Sequence, residues 1–413
     1  MSIIAPIQGF PSSGGANIPV FINQDMNISD VLKYISSNIS TIYVNGCTLT
    51  IDQNTTLPGN ITGLAGPGTI TINSDVTLTI NQNISCTVST ISGTGTLQIN
   101  SGYTFTFSGN NLIPSGLIAN GILALSGNYT LGANITNGSG NLVINSGYTL
   151  TVSSSLTLGF TSVGGSGTLS ISSGYTLIIG INTTFSGITV SGSGVLYVSE
   201  SETLTQGGDI MLSISQVTLV GTWANAGYNI TIPFGTSQIW DGGGSITTGT
   251  TAGTLTVYGT VYWFCGGMTT QTTNTVPTFP LNITGGGIFI ATPIQPNYPS
   301  AGSATNTITL SNTAINANSN DGSATGSGGI PYFSLSSVKG SVSGNYGIGI
   351  YDSTAAKYII FVLIYVGRAS YTYNVSSNQY LVYNSADISG DTIYVTNANG
   401  STGTITLTGT AYV

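Results

Sequence analysis

Acid–base chemistry needs titratable side chains held close together, and this chain has few of them: 12 Asp or Glu, four Lys or Arg and no His in 413 residues. The closest Glu pair is Glu200 and Glu202, with Asp209 next along the chain. Hydrolysis of a glycosidic bond takes two carboxyls roughly 5 to 10 Å apart, and in β-helical polysaccharide enzymes Arg or Lys often stands beside them. Here no basic residue lies between Lys33 and Lys339, so the pair reads as solvated turn residues, and a polysaccharide-degrading enzyme ranks third among the functional readings. Without His there is no base for a Ser or Cys nucleophile. Asp387 and Asp391, in Asp-Ile-Ser-Gly-Asp, carry the oxygen ligands a hard cation prefers, yet the sequence is that of an ordinary turn. Gly242–Gly244 and Gly285–Gly287 lack the Lys and the strand–loop–helix setting of a phosphate loop. Cys47, Cys86 and Cys265 are too scattered for a zinc site or a disulfide framework and are expected as buried free thiols. The expectation is a non-enzymatic protein with no catalytic residue, no metal and no cofactor.

The same scarcity sets the electrostatics. Only 4% of residues are charged and the formal net charge is −8; full carboxylate protonation moves it only toward about +4, so acid removes little stabilisation. With no basic patch, nucleic acid is excluded as a partner. Hydrophobic residues make up 40% of the chain, enough for a core, but the longest strongly apolar run, Ile359–Val366, is far shorter than the ~20 residues that span a bilayer. It reads as a buried strand, and no transmembrane segment is expected. Met1–Pro6 has no basic region and does not read as an uncleaved secretory signal. Asn-x-Ser/Thr sequons stand at Asn27, Asn38, Asn54, Asn60, Asn83, Asn128, Asn134, Asn137, Asn182, Asn229, Asn282, Asn374 and Asn399. In so Asn-, Ser- and Thr-rich a chain, chance produces roughly ten of them.

Internal repetition decides the expected fold. Gly93-Thr-Gly95-Thr-Leu97-Gln-Ile99-Asn-Ser-Gly102-Tyr103-Thr-Phe105 aligns with Gly138-Ser-Gly140-Asn-Leu142-Val-Ile144-Asn-Ser-Gly147-Tyr148-Thr-Leu150 and with Gly165-Ser-Gly167-Thr-Leu169-Ser-Ile171-Ser-Ser-Gly174-Tyr175-Thr-Leu177. Weaker copies centre on Val76, Tyr129, Glu202 and Tyr228, so anchors recur in steps of 26 or 27 residues with one step of 19. Apolar residues alternate at period two inside each copy, the mark of strands with one face inward. The expected fold is all-β: a right-handed parallel β-solenoid of roughly 27-residue coils, followed by a C-terminal antiparallel β-sandwich-like domain. Gly102, Gly147, Gly174 and Gly227 are assigned to corners that disfavour a Cβ, with Asp75 as an αL-tolerant substitute. Tyr103, Tyr148, Tyr175 and Tyr228 follow those corners and are expected to stack as a ladder.

Three regions result. Residues 1–39 form a cap or anchor with one short helix, Ser29–Ser37, N-capped by Ser29; residues 40–292 form the solenoid; residues 293–413 form the antiparallel domain. Eleven of the 22 tyrosines lie in Tyr332–Tyr412, and three of the four basic residues, Lys339, Lys357 and Arg368, fall in this last region too. Tyr presents stiff amphipathic area with a hydroxyl, and Tyr371, Tyr373, Tyr380 and Tyr383 are the candidate receptor-binding residues. Thr404–Val413 alternates well and is expected to pair in trans with a neighbouring subunit.

The Gly-x-Gly…Ser-Gly-Tyr-Thr-Leu copies and the near-absence of charge resemble β-solenoid spike or fibre proteins of archaeal viruses and related surface adhesins, over about residues 40–260. That resemblance implies a homo-oligomer, typically a trimer, on the virion or cell surface. It also implies attachment to other virion or surface proteins through the N-terminus, and to a host glycan or protein through the C-terminal domain. The alternative reading is a cellular surface filament or surface-layer subunit.

Overall fold

The computed structural model describes residues 18–131, 139–265, 279–291, 303–310, 315–316, 332–352, 357–375, 380–382, 392–397 and 405–412. Its strands follow directly from the alternation of outward Thr, Ser or Asn with inward Leu, Ile or Val. Thr48–Ile51, Thr69–Ile72, Thr77–Ile80, Thr149–Val152 and Thr168–Ile171 each bury their second and fourth residues and leave the first and third part-exposed. Each inward side chain contributes about 1.5–3 kcal/mol once covered. A four-residue strand has no cover of its own, so it is stable only between the coils before and after it. The chain is all-β, with a parallel β-solenoid of about 11 turns and a separate antiparallel sheet near the C-terminus. It divides into two compact units, Met1–Ile210 and Met211–Val413.

In the first unit the strands are dealt in rotation to three parallel ladders. The first ladder runs from Ile18–Ile22 through Ile39–Val44, Gly63–Ala65, Ile84–Cys86 and Thr104–Phe107, and continues to Thr203–Gln206. The second takes Thr48–Ile51, Thr69–Ile72 and the front half of Thr90–Ile99, and later Tyr129–Leu131, Thr149–Val152 and Thr168–Ile171. The third takes Thr55–Thr56, Thr77–Ile80 and the back half of Thr90–Ile99, and later Leu156–Leu158 and Thr176–Ile179. Stacked partners lie 18 (Thr104 and Ile122) to 23 (Met26 and Leu49) residues apart.

That spacing corrects the expected 27-residue coil. A coil is three sides, whereas the sequence repeat spans four: one turn plus one further side. Val76 therefore precedes a third-ladder strand, Tyr103 a first-ladder, Tyr148 a second-ladder, Tyr175 a third-ladder and Glu202 a first-ladder strand. The lone 19-residue step, from Tyr129 to Tyr148, is close to one full turn: Tyr129 pairs with Leu150, and Tyr148 stands just before that second-ladder strand. Successive tyrosines thus stand at different corners, and the expected Tyr ladder does not form: Tyr148, Tyr175 and Tyr228 are separately exposed, at 37–38%. An internal aromatic stack does form in the second unit, where Trp240 and Trp263 pair in register at 4.8 Å and Trp223 lies 5.1 Å from Trp240.

Two devices close the corners. Gly102, Gly147, Gly174 and Gly227 adopt φ of 81 to 93°, and Asp75 and Ser201 take the matching left-handed place at 61 and 66°. A Cβ at Gly102 would meet open space, so conformation alone selects glycine there. The first glycine of Gly-x-Gly is different: at Gly93, φ is 113° and a Cβ would collide with the Ile72 backbone of the preceding coil. The second device is polar. The side chains of Asp25, Asn54, Asn83, Asn128 and Asn182 accept the backbone N–H of Thr48, Thr77, Thr104, Thr149 and Thr203 one coil on, at 2.7 to 2.9 Å. Ser155 does the same for Thr176 at 3.1 Å.

The ladder already includes Ile18–Ile22 and Met26–Asn27, so paired coils begin before residue 40. The helical stretch is shorter than expected: one α turn, Ile28–Val31, and a 3-10 turn, Leu32–Tyr34, with Asn27 rather than Ser29 at the N-cap. Ser29 instead donates its hydroxyl and N–H to Asp52, at 2.7 and 3.2 Å.

In the second unit the coils lengthen to between 23 and 28 residues. The strand Ile288–Ala291 then pairs antiparallel with Leu363–Val366, and Lys357–Val366 pairs with Gly344–Asp352. A second antiparallel sheet joins Ser303–Leu310, Ile405–Tyr412 and Tyr332–Gly340. Between the two sheets a core holds Ile288, Ile290, Tyr346, Ile364 and Val366 against Leu335, Val338, Tyr373, Ile405 and Leu407. Ile405–Tyr412 is the middle strand of its sheet, with both edges taken by its own chain. This overturns the expected pairing in trans.

Candidate binding surface

The aromatic cluster begins with a tight turn. Gly367 donates to Gly287 O at 2.8 Å, and Ser370, at φ 57°, donates its N–H to Gly340 O at 2.7 Å. Held at both ends, the turn places Arg368 and Tyr371 in solvent, the latter 50% exposed. The Arg368 guanidinium lies 5.6 Å from the Tyr371 ring centroid, within cation–π range. Tyr371 in turn meets Tyr373 edge-on at 4.8 Å and 71°.

Tyr371, just before the strand Thr372–Asn374, and Tyr373 within it have opposite roles. Tyr373 is buried in the core between the sheets, and its hydroxyl donates to Gly286 O at 2.9 Å. The Tyr365 hydroxyl donates to Gly285 O at 2.6 Å. Burial is the main cause that holds both phenols above the usual range, so both stay neutral donors; for Tyr373, Arg368 works in the opposite sense. Together they clamp the Gly285–Gly287 turn beneath the C-terminal strands. Of the four predicted tyrosines, Tyr371 is thus a surface residue and Tyr373 a support beneath it. Tyr380 opens the strand Tyr380–Val382, paired with Tyr332–Ser334, and Tyr383 lies outside the described residues. Arg368 was not singled out from sequence, where its only signal was being the sole Arg.

Among the described residues the carboxylates do not converge. Glu200 is exposed in a turn whose next residue, Ser201, is left-handed, and Glu202 N–H closes that turn on Ser199 O at 3.2 Å. Asp387 and Asp391 lie outside the described residues. Among the described residues no three His, Cys, Asp or Glu side chains group as metal ligands. All three cysteines are free; burial pushes the Cys86 and Cys265 thiols up to about 12, which leaves them unreactive at neutral pH. Among the described residues no helix is long and apolar enough to cross a membrane. No protein-family model, curated protein or solved structure gives a significant match to this chain.

Proposed function

We propose that this chain is a non-enzymatic structural and adhesion protein: a virion surface fibre or spike, homo-oligomeric, that holds a host surface glycan or protein with its C-terminal region. The observation that carries the reading is the pairing of Arg368 with exposed Tyr371 on a turn anchored at both ends. Large aromatic area beside a cation, held without conformational freedom, suits recognition more than packing. The solenoid supports a structural role, because its strands bury alternate apolar residues and turn mostly neutral hydroxyls and amides outward, which acid does not titrate.

The test is mass photometry of the purified protein at pH 3 and pH 7, with binding of labelled protein to host cells in parallel. A discrete oligomer that binds cells at both pH values, with binding weakened at least threefold by Arg368→Ala or Tyr371→Ala, is the expected result. Open-ended polymers without cell binding would replace it with the surface-filament reading.

A further inference from the structure

One corner of the coils in the second unit carries exposed aromatic side chains at three of four successive levels. It lies between the strands Asn229–Ile232 and Thr254–Val257 on one side and Ser237–Asp241 and Thr260–Trp263 on the other. At the first level, the Pro233–Thr236 turn presents Phe234, which is 82% exposed. One coil on, Tyr258 is 50% exposed, and the levels are joined by Tyr258 N–H to Ile232 O at 2.9 Å and Thr260 N–H to Thr236 O at 2.8 Å. The third level is the Gly285–Gly287 turn, bonded to the second through Gly287 N–H to Val257 O at 2.8 Å. The fourth is the Gly367–Ser370 turn with Arg368 and Tyr371. A Cβ at Gly286 would approach Arg368 Nε to 3.1 Å, so the guanidinium lies against that glycine. At about 4.8 Å per level the row is on the order of 15 Å long.

Beside the row runs a neutral polar track on the outward face. Asn229 Nδ2 donates to Thr231 Oγ1 at 2.8 Å, Thr256 Oγ1 donates to Asn229 Oδ1 at 2.9 Å, and Thr256 and Thr284 hydroxyls meet at 3.2 Å.

We infer that this corner is a binding site for a neutral polysaccharide chain laid along the coil axis. The sugar rings pack their C–H faces on Phe234, Tyr258 and Tyr371, and Arg368 donates to sugar oxygens. Three observations select that occupant. A polyanion needs several cations along its length, whereas the coil segments that carry Phe234 and Tyr258 hold no Lys or Arg, and the cations near the row, Arg368 and Lys339 opposite Thr372, stand at one end. A membrane or an apolar protein face needs a continuous apolar patch, whereas here the aromatic rings are separate, interrupted by the Gly285–Gly287 turn and flanked by hydroxyls and an amide. The coil rise is close to the length of one pyranose along a chain, so successive rings meet successive levels. The inference rests on the adhesive reading for its biological setting and extends the contact surface from Tyr371 onto the coils.

The test is affinity electrophoresis of the full chain in gels containing soluble β-glucan, α-mannan or dextran, with polygalacturonate as the anionic control. Retardation by a neutral polymer, unchanged at 0.5 M salt, is expected, with about three- to tenfold weaker binding for Phe234→Ala and Tyr258→Ala. Both side chains are exposed, so both variants should keep the parent melting temperature. Equal affinity in the double variant, retardation by polygalacturonate alone, or no retardation by any of the neutral polymers would overturn the site. Cell binding that survives the double variant would overturn the row and leave the adhesive reading standing. Polysaccharide binding without cell binding would do the reverse.

Discussion

Gly93 and Gly102 stand in the same sequence copy, yet the structure gives them different physical jobs. Gly102→Ala meets open space and costs only the left-handed backbone, about 1 kcal/mol. Gly93→Ala adds a collision with the Ile72 backbone and should cost about 3 kcal/mol or more. Urea melts of the two variants check the ranking, and equal losses would show that the close coil approach is not as described. Asn128 offers a second residue-scale test. Asn128→Ala strips the partner from the Thr149 N–H and should cost about 1 kcal/mol, whereas Thr130→Ala, which removes the same sequon without touching that bond, should cost under about 0.5 kcal/mol. The comparison also accounts for the sequons at Asn54, Asn83, Asn128 and Asn182. Each begins with the corner Asn that caps the next coil, continues with a buried residue (Thr55, Ile84, Tyr129 or Thr183) and ends on an outward Thr or Ser. A coil corner in this chain writes the sequon by itself.

An element of the solenoid is a side, not a sequence copy, and deletions distinguish the two. Removing residues 149–167 takes out one turn and brings Thr168 to the place of its own ladder partner, Thr149. Removing residues 149–175 takes out one copy and puts Thr176, a third-ladder strand, where a second-ladder strand belongs. The turn deletion should retain a single cooperative thermal transition; the copy deletion should broaden or abolish it, because every later strand would face the wrong neighbours. The strand Ile405–Tyr412 gives a further element-scale outcome. As the middle strand of its sheet it should be required for folding, so a chain lacking residues 404–413 should expose core Leu335 and Val338 and bind a hydrophobic dye. A truncated chain with the parent's dye binding and melting temperature would remove that strand's role. One strand in this region was legible: Lys357–Val366 contains the apolar run Ile359–Val366, which the sequence marks as a strand. The pairing was not legible, because a strand's alternation states which face is covered and not which chain or segment covers its edges.

For the molecule as a whole, scarcity of ionisable groups makes the pH profile asymmetric. Desolvation raises the Asp52 carboxyl, but the hydrogen bonds from Ser29 outweigh it and hold the group below its ordinary range. A depressed carboxylate stabilises the fold above its ordinary value near 3.8 and loses that contribution as pH falls through the folded value. On the alkaline side, burial pushes Cys86, Cys265 and Tyr129 up to about 12. Raised values stabilise fully below the ordinary 9.0 for a thiol and 10.0 for a phenol, and that stabilisation is lost as pH climbs toward 12. The melting temperature should therefore be flat from about pH 5 to 8, decline slightly below about pH 4 and fall steeply above about pH 9. A profile that collapses first in acid would refute this account. Among the described residues, Lys33 pairs with Asp30 at 2.7 Å; the pair is exposed and adds little, so 0.5 M salt should leave the melting temperature nearly unchanged.

The sequence by itself determined the strand-forming alternation, the inward and outward faces, the left-handed corners and the poverty of titratable chemistry, because each is a property of a residue and its near neighbours. Only the tertiary structure decided the length of a coil. Sequence similarity marks equivalent corners, and in a three-sided solenoid all corners are nearly equivalent, so a repeat of four sides is as self-consistent in sequence as one of three. The same limit applies to the aromatic residues: Tyr371 and Tyr373 look alike in the chain, and only the packing of two sheets sends one into the core and leaves the other in water beside Arg368. Phe234 and Tyr258, more than twenty residues apart, come to one corner only because the turn brings them there.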